Sequence, residues 1–175
     1  MFKRIKDEKP EAFEKIIPIS GEITLPNLGM SSHDCNMVIR ETNIIFHMAA
    51  TVNFNAPLRA ALTMNLLATK VLIAIAKEMK SLVVFIHLST AFCCCDQEIL
   101  EEKIYGWKHK PDDILDLISW MDDEMIEKIR PFLQSPHPNT YTYTKRLTEI
   151  MVEEEYKNLP ICIVRPRLIS IFKLQ

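Results

Sequence analysis

This sequence predicts an α/β chain built on a parallel sheet, and two observations carry the prediction. Short apolar runs rich in β-branched residues alternate with longer stretches of helical period, and the central runs close on small or hydroxyl residues. Strands that alternate with helices pair in parallel through right-handed crossovers. No repeat, low-complexity stretch or linker interrupts the 175 residues, which are enough for one domain with a sizeable core.

In chain order, Ile16 to Ser20 reads as a strand, and Ser31-Ser32-His33-Asp34 supplies cap residues for a short helix reaching Arg40. Asn43 to Met48 is the next strand. Pro57 opens a long helix to Met79, since proline is tolerated in a first turn. Leu82 to Leu88 is a buried strand that ends in Ser89 and Thr90. Asp112 to Ile129 places Ile114, Leu115, Leu117, Ile118, Met121, Met125 and Ile126 at helical spacing, and Pro131 should stop that helix. Asn139 to Lys157 is a further helix, and Ile161 to Val164 the last strand.

Composition excludes several classes. A net charge of −2 with interspersed signs gives no basic face for nucleic acid and no polybasic membrane patch. The longest apolar run, Val71 to Ala76, is bounded by Lys70 and Lys77, well short of the roughly 18 residues that a membrane span needs. Met1 to Glu8 has charge but no apolar segment behind it, so no signal peptide is expected and the chain reads as soluble and intracellular. Cys35, Cys93, Cys94, Cys95 and Cys162 are odd in number and lack disulfide or zinc spacing. In an extended backbone three adjacent cysteines alternate sides and cannot close on one metal, so no metal site is expected and the thiols read as small hydrophobes.

The chemistry-bearing feature is Tyr141-Thr142-Tyr143-Thr144-Lys145. Four residues apart on a helix, Tyr141 and Lys145 share a face. An ammonium beside a phenol favours the phenolate, and should lower the tyrosine from its free value of about 10 toward use as a proton donor and acceptor. Tyr143 has Leu147 at the same offset and no such partner. A tyrosine four before a lysine is common on solvated helices, so the pair needs company. Ser89 and Thr90 supply it, at the carboxyl end of a strand, where open α/β sheets hold their ligands. Asn43-Ile44-Ile45-Phe46-His47-Met48-Ala49-Ala50 closes similarly, on small residues that let a flat ligand approach the backbone. His47 itself reads as a satisfied core histidine.

With these elements in this order the chain resembles the extended short-chain dehydrogenase/reductase family and, within it, the alcohol-forming fatty acyl-CoA reductases, most of all the insect ones. The resemblance rests on Ile19-Ser20-Gly21-Glu22-Ile23, Ile44 through Phe54, His87-Leu88-Ser89-Thr90-Ala91-Phe92-Cys93, Trp120-Met121-Asp122-Asp123-Glu124, Pro138 through Lys145, and Ile163-Val164-Arg165-Pro166. It implies a Rossmann-like doubly wound parallel sheet. That sheet is incomplete here, because the family's first strands and its glycine-rich phosphate loop have no counterpart: Gly21, Gly29 and Gly106 are all far apart. Residues 1–175 are then a partial NAD(P)-binding reductase domain.

The function implied is NADPH-dependent reduction of a long-chain fatty acyl-CoA to a fatty alcohol, a step of lipid metabolism at the surface of the peroxisome or endoplasmic reticulum. Tyr141 would give the proton, Thr90 or Ser89 would polarise the carbonyl, and Lys145 would hold the cofactor ribose. Backbone around Met48, Ala49 and Ala50 would line the cofactor, with Pro166 beyond the last strand. Glu22-Ile23 stands where the family has an aspartate and an aliphatic residue at the adenine. Asn65 matches a family asparagine, with self-bonding to its own helix backbone as the competing reading. The family's serine after Arg165-Pro166 is Arg167 here, and Phe92 replaces a tyrosine. Two alternatives stay open: an extended reductase for another carbonyl substrate, and an inactive paralogue or pairing module of a full-length reductase, which the absent glycine loop favours. A sheet with an uncovered edge also predicts self-association.

Overall fold

The computed structural model describes residues 3–155 and 157–167. Two short helices, α1 (Lys3–Glu8) and α2 (Pro10–Phe13), bury no residue. Residues 21–30 form a tight loop in which Gly29 takes φ +66°, a conformation suited to glycine, and a Cβ there would meet the Glu22 nitrogen at 2.5 Å. Helix α3 (Ser32–Glu41) starts at Ser31, whose hydroxyl accepts from the Asp34 amide, as the cap residues predict. Ile16 to Ser20 is not a strand: among the described residues no strand lies beside it, and without a ladder partner an apolar alternation stays coil.

The sheet has three parallel strands in the order β1 (Ile44–His47), β2 (Val84–Leu88), β3 (Ile161–Val164). His47 pairs with His87, and His87 with Ile163, so the three carboxyl ends finish side by side. One face carries His47, Phe85 and His87 into the interior; on the other, Ile44, Phe46 and Val164 are exposed. The fold is thus α/β with a parallel, Rossmann-like sheet.

The long helix after Pro57 is continuous from α4 (Leu58–Leu62) through a π turn (Thr63–Leu67) into α5 (Ala68–Lys77). Leu58–Lys77 is long and apolar enough to cross a membrane, which run-counting between lysines had excluded. Here half of it is buried, with Leu58, Leu62, Leu66, Ile73 and Ala76 in the core.

The expected helix 112–129 is two. Helix α6 (Pro111–Trp120) ends as Met121 turns extended, and Asp122 caps the new helix α7 (Asp123–Gln134) by accepting from the Met125 amide at 2.9 Å. Arg59 fixes the corner, donating to the Ile118 and Met121 carbonyls and to the Asp123 carboxylate. Pro131 lies inside α7 rather than ending it. Helix α8 (Thr140–Glu155) is capped by Asn139, whose side-chain oxygen accepts from the Thr142 amide at 2.9 Å.

Candidate active site

Helix α8 is no solvated surface helix. Thr142 through Glu149 are all buried, which excludes the bland reading of the Tyr141–Lys145 spacing. Tyr143 points inward: it is fully buried, its hydroxyl 3.1 Å from His109 Nδ1 and its ring 5.8 Å from that of His137. Tyr141, half-buried, faces the end of β2 with its ring 5.6 Å from Phe54, itself 55% exposed. The two tyrosines therefore separate as their offsets predict.

Thr90 and Ser89 are both buried and diverge. Thr90 caps a short 3₁₀ turn (Ala91–Cys94) by accepting from the Phe92 amide, and its hydroxyl is the side-chain group that acts on the Tyr141 phenol. Ser89 Oγ instead lies 3.8 Å from Cys93 Sγ. Lys145 Nζ donates to the Leu88 carbonyl at 2.7 Å, at the end of the same strand. Tyr141, Thr90 and Lys145 thus converge where β2 ends.

The electrostatics differ from expectation. Burial pushes the Tyr141 phenol above its ordinary value, opposed by the Thr90 hydrogen bond, and the ammonium does not lower it. The reason is geometric: Lys145 is turned to the Leu88 carbonyl, and burial brings its own value down to about 8. The phenol is therefore protonated at neutral pH, the form that a proton donor needs.

The network behind the site was only partly legible. His47 is a core histidine as expected, held down to about 4 by burial, with Nε2 at 2.8 Å from Thr69 Oγ1. Because the Thr69 hydroxyl donates to the Asn65 carbonyl at 2.6 Å, it must accept from His47, which fixes the imidazole proton on Nε2. That carbonyl lies in the π turn, and Thr148 Oγ1 also approaches it, at 3.2 Å. The Asn65 side chain does not bond its own helix. Its amide accepts from the Thr51 nitrogen at 2.8 Å and donates to the Thr51 carbonyl and Thr144 Oγ1, so it ties the loop after β1 to α8.

Of the other cofactor candidates, Met48 and Ala49 are exposed and Ala50 half-buried, leaving backbone open beside the strand ends. The Pro166 carbonyl accepts from the Ala91 amide at 3.2 Å, joining the end of β3 to the turn after β2. Glu22 and Ile23 are not brought to this cluster by any hydrogen bond among the described residues; the Glu22 carboxylate accepts from the Thr24 amide and hydroxyl instead. Arg167 is exposed.

Sequence reasoning missed two buried charges. Glu149, fully buried, holds Arg165 in a bidentate pair at 2.8 and 2.7 Å. Arg146, also buried, donates to the Cys93 and Gly106 carbonyls and to Asp96, beneath the Tyr105 and Trp107 rings. The continued spacing Tyr141, Lys145, Glu149 was the available signal for the first. Cys93 and Cys94 lie in a 3₁₀ turn rather than the expected extended backbone, so they do not alternate sides: their sulfurs are 3.7 Å apart.

A tyrosine, a hydroxyl and a lysine thus gather at the carboxyl end of a parallel strand, where open α/β sheets hold their ligands. The chain belongs to the NAD-binding family described as male sterility protein, whose model matches residues 1–173. It is 44% identical over 170 residues to human fatty acyl-CoA reductase 1, covering 97% of this chain and 33% of that protein. Mouse fatty acyl-CoA reductase 2 is likewise 44% identical, with the same coverage. The chain spans about a third of the length of these curated relatives. The terminal R domain of the myxalamid PKS-NRPS pathway shares the fold, with TM-score 0.62 at 21% identity over 91% of this chain and 35% of that one.

Proposed function

We propose that this chain is the proton-donating segment of a reductase that converts long-chain fatty acyl-CoA to fatty alcohol with NADPH, at a peroxisomal or endoplasmic reticulum surface. The observation that carries the reading is the convergence of Tyr141, Thr90 and Lys145 at the end of β2 in a chain this similar to fatty acyl-CoA reductases. The residues present suit a nicotinamide dinucleotide. Lys145 spends one of its three N–H donors on Leu88, which leaves donors for ribose hydroxyls, and the exposed Ala49 adds no bulk beside the strand ends.

NADPH, held at its ribose by Lys145, would supply the hydride for the carbonyl carbon. Thr90 donates a hydrogen bond to the carbonyl oxygen, and Tyr141 then gives its phenolic proton to the alkoxide that develops there. Departure of coenzyme A leaves an aldehyde, and the same groups serve its reduction in a second round. Thr90 takes this role in preference to Ser89, whose hydroxyl is directed to Cys93. A chimera in which this chain replaces the matching third of the human relative tests the reading. It should consume NADPH when palmitoyl-CoA is added and release hexadecanol. Oxidation of NADPH with a short-chain ketone or sugar nucleotide but not with acyl-CoA would favour another reductase class.

A further inference from the structure

We propose that Cys93 and Cys94 form a vicinal dithiol that peroxide closes to a disulfide, a modification site behind the Ser89 and Thr90 shelf. The two sulfurs lie 3.7 Å apart, and with a Glu149 carboxylate oxygen they fall within 4.8 Å of one another. The carboxylate is held by both arms of Arg165, and Cys93 Sγ also has Ser89 Oγ at 3.8 Å. Cys93 and Cys94 are themselves buried; the Arg165 that holds Glu149 beside them lines an open cavity of about 790 Å³ with Glu101, Lys103 and Ile104.

The two thiols are unequal. The sulfur–sulfur contact, in which either atom can donate, and the Arg146 and Arg165 guanidiniums favour the thiolate at Cys94, against burial and the Glu149 carboxylate. The contact with Cys94, burial and the Glu149 carboxylate hold Cys93 protonated. Thiolates are the nucleophiles, so Cys94 reacts first. Its sulfur attacks one peroxide oxygen, breaking the O–O bond, and becomes a sulfenic acid as hydroxide leaves. The Cys93 sulfur then attacks the Cys94 sulfur, the S–S bond forms, and water leaves with the Cys93 proton. Two thiols are oxidised by two electrons and one peroxide is reduced to two waters.

Consecutive Cα atoms sit about 3.8 Å apart, below the usual disulfide range of roughly 4.4–6.8 Å. The closed ring is therefore strained and readily reduced, which suits a reversible modification. Closing it would also distort the 3₁₀ turn that Thr90 caps; the catalytic consequence of that distortion rests on the proposed function, whereas the modification does not.

Hydrogen peroxide treatment of the chain followed by peptide mass mapping tests the site. The peptide holding Cys93 to Cys95 should lose about 2 Da, and dithiothreitol should restore it. The same loss is expected with Cys35, Cys95 and Cys162 all changed to Ser, and it should vanish in Cys94→Ser. In Cys93→Ser the first step has no resolving thiol, so Cys94 should be trapped by dimedone. Should the multiple variant not fold, alkylation in urea of the oxidised wild-type chain should mark Cys95 and spare Cys93 and Cys94, which urea exposes if they remain thiols. Oxidation confined to Cys35, Cys95 or Cys162, or a pair that stays alkylatable after peroxide, would overturn the proposal.

Discussion

Tyr143 and Lys145 show what a single position decides. Tyr143→Phe deletes a buried hydroxyl bonded to His109, so it should destabilise the chain by about 1 kcal/mol in urea melts, the size of one such bond, without touching the reaction. Lys145 is the reverse case: its ammonium is desolvated, so its charge opposes folding wherever it is protonated. The folded value is about 8, below the 10.5 of a free lysine, so the unfolded chain binds the extra proton between these values. Stability should therefore rise as pH climbs through that window, and Lys145→Met should stabilise the fold by roughly 1–2 kcal/mol at pH 7 while ending NADPH-dependent turnover in the chimera. That Tyr141 and Lys145 ride on one helix was legible from residue identity and helical offset. The direction of the Tyr141 shift was not, because it depends on which way Lys145 turns, and that is set by the carbonyl of Leu88, 57 residues away.

Elements were legible where local chemistry is self-sufficient. Ser31 announced its helix because a cap needs no distant partner, and the β-branched runs around Ile44, Val84 and Ile161 became strands where Ile16 to Ser20 did not because each finds a ladder partner. The break at Met121 escaped because the same heptad-like spacing continues across it, and only Arg59 from another helix holds the corner. The π turn was equally hidden. It frees the Asn65 carbonyl for Thr69, while the Asn65 amide joins the loop after β1 to α8. Asn65→Leu should strand the Thr51 amide and cost roughly 2–3 kcal/mol in chemical denaturation. It should also speed hydrogen exchange at Thr51. Unchanged exchange there would mean that the loop is held by something else.

Across the whole molecule, buried histidines dominate the response to acid. Burial lowers His47 and His137 to about 4 and His87 well below 6.5, so the folded state refuses protons that the unfolded chain accepts. Each such group costs up to about 1.4 kcal/mol per pH unit inside its window. Stability should thus be intact above pH 6.5 and fall steeply toward pH 4, seen as a collapse of the urea midpoint; a midpoint flat between pH 6.5 and 5 would contradict these burials. The open sheet face, with Ile44, Phe46 and Val164 exposed, predicts that the isolated chain self-associates in light scattering. The parallel sheet was legible from its runs; which face lies open was not, because a strand's pattern cannot say what is packed against it.

The central claim is that Tyr141, not Tyr143, donates the proton, and turnover of the chimera with acyl-CoA and NADPH tests it most directly. Tyr141→Phe should lower kcat by roughly a hundredfold to ten-thousandfold with the KM for NADPH nearly unchanged, and Tyr143→Phe should leave kcat within about twofold. A Tyr141→Phe chimera of full activity, or a Tyr143→Phe chimera that folds and is inactive, would contradict the account.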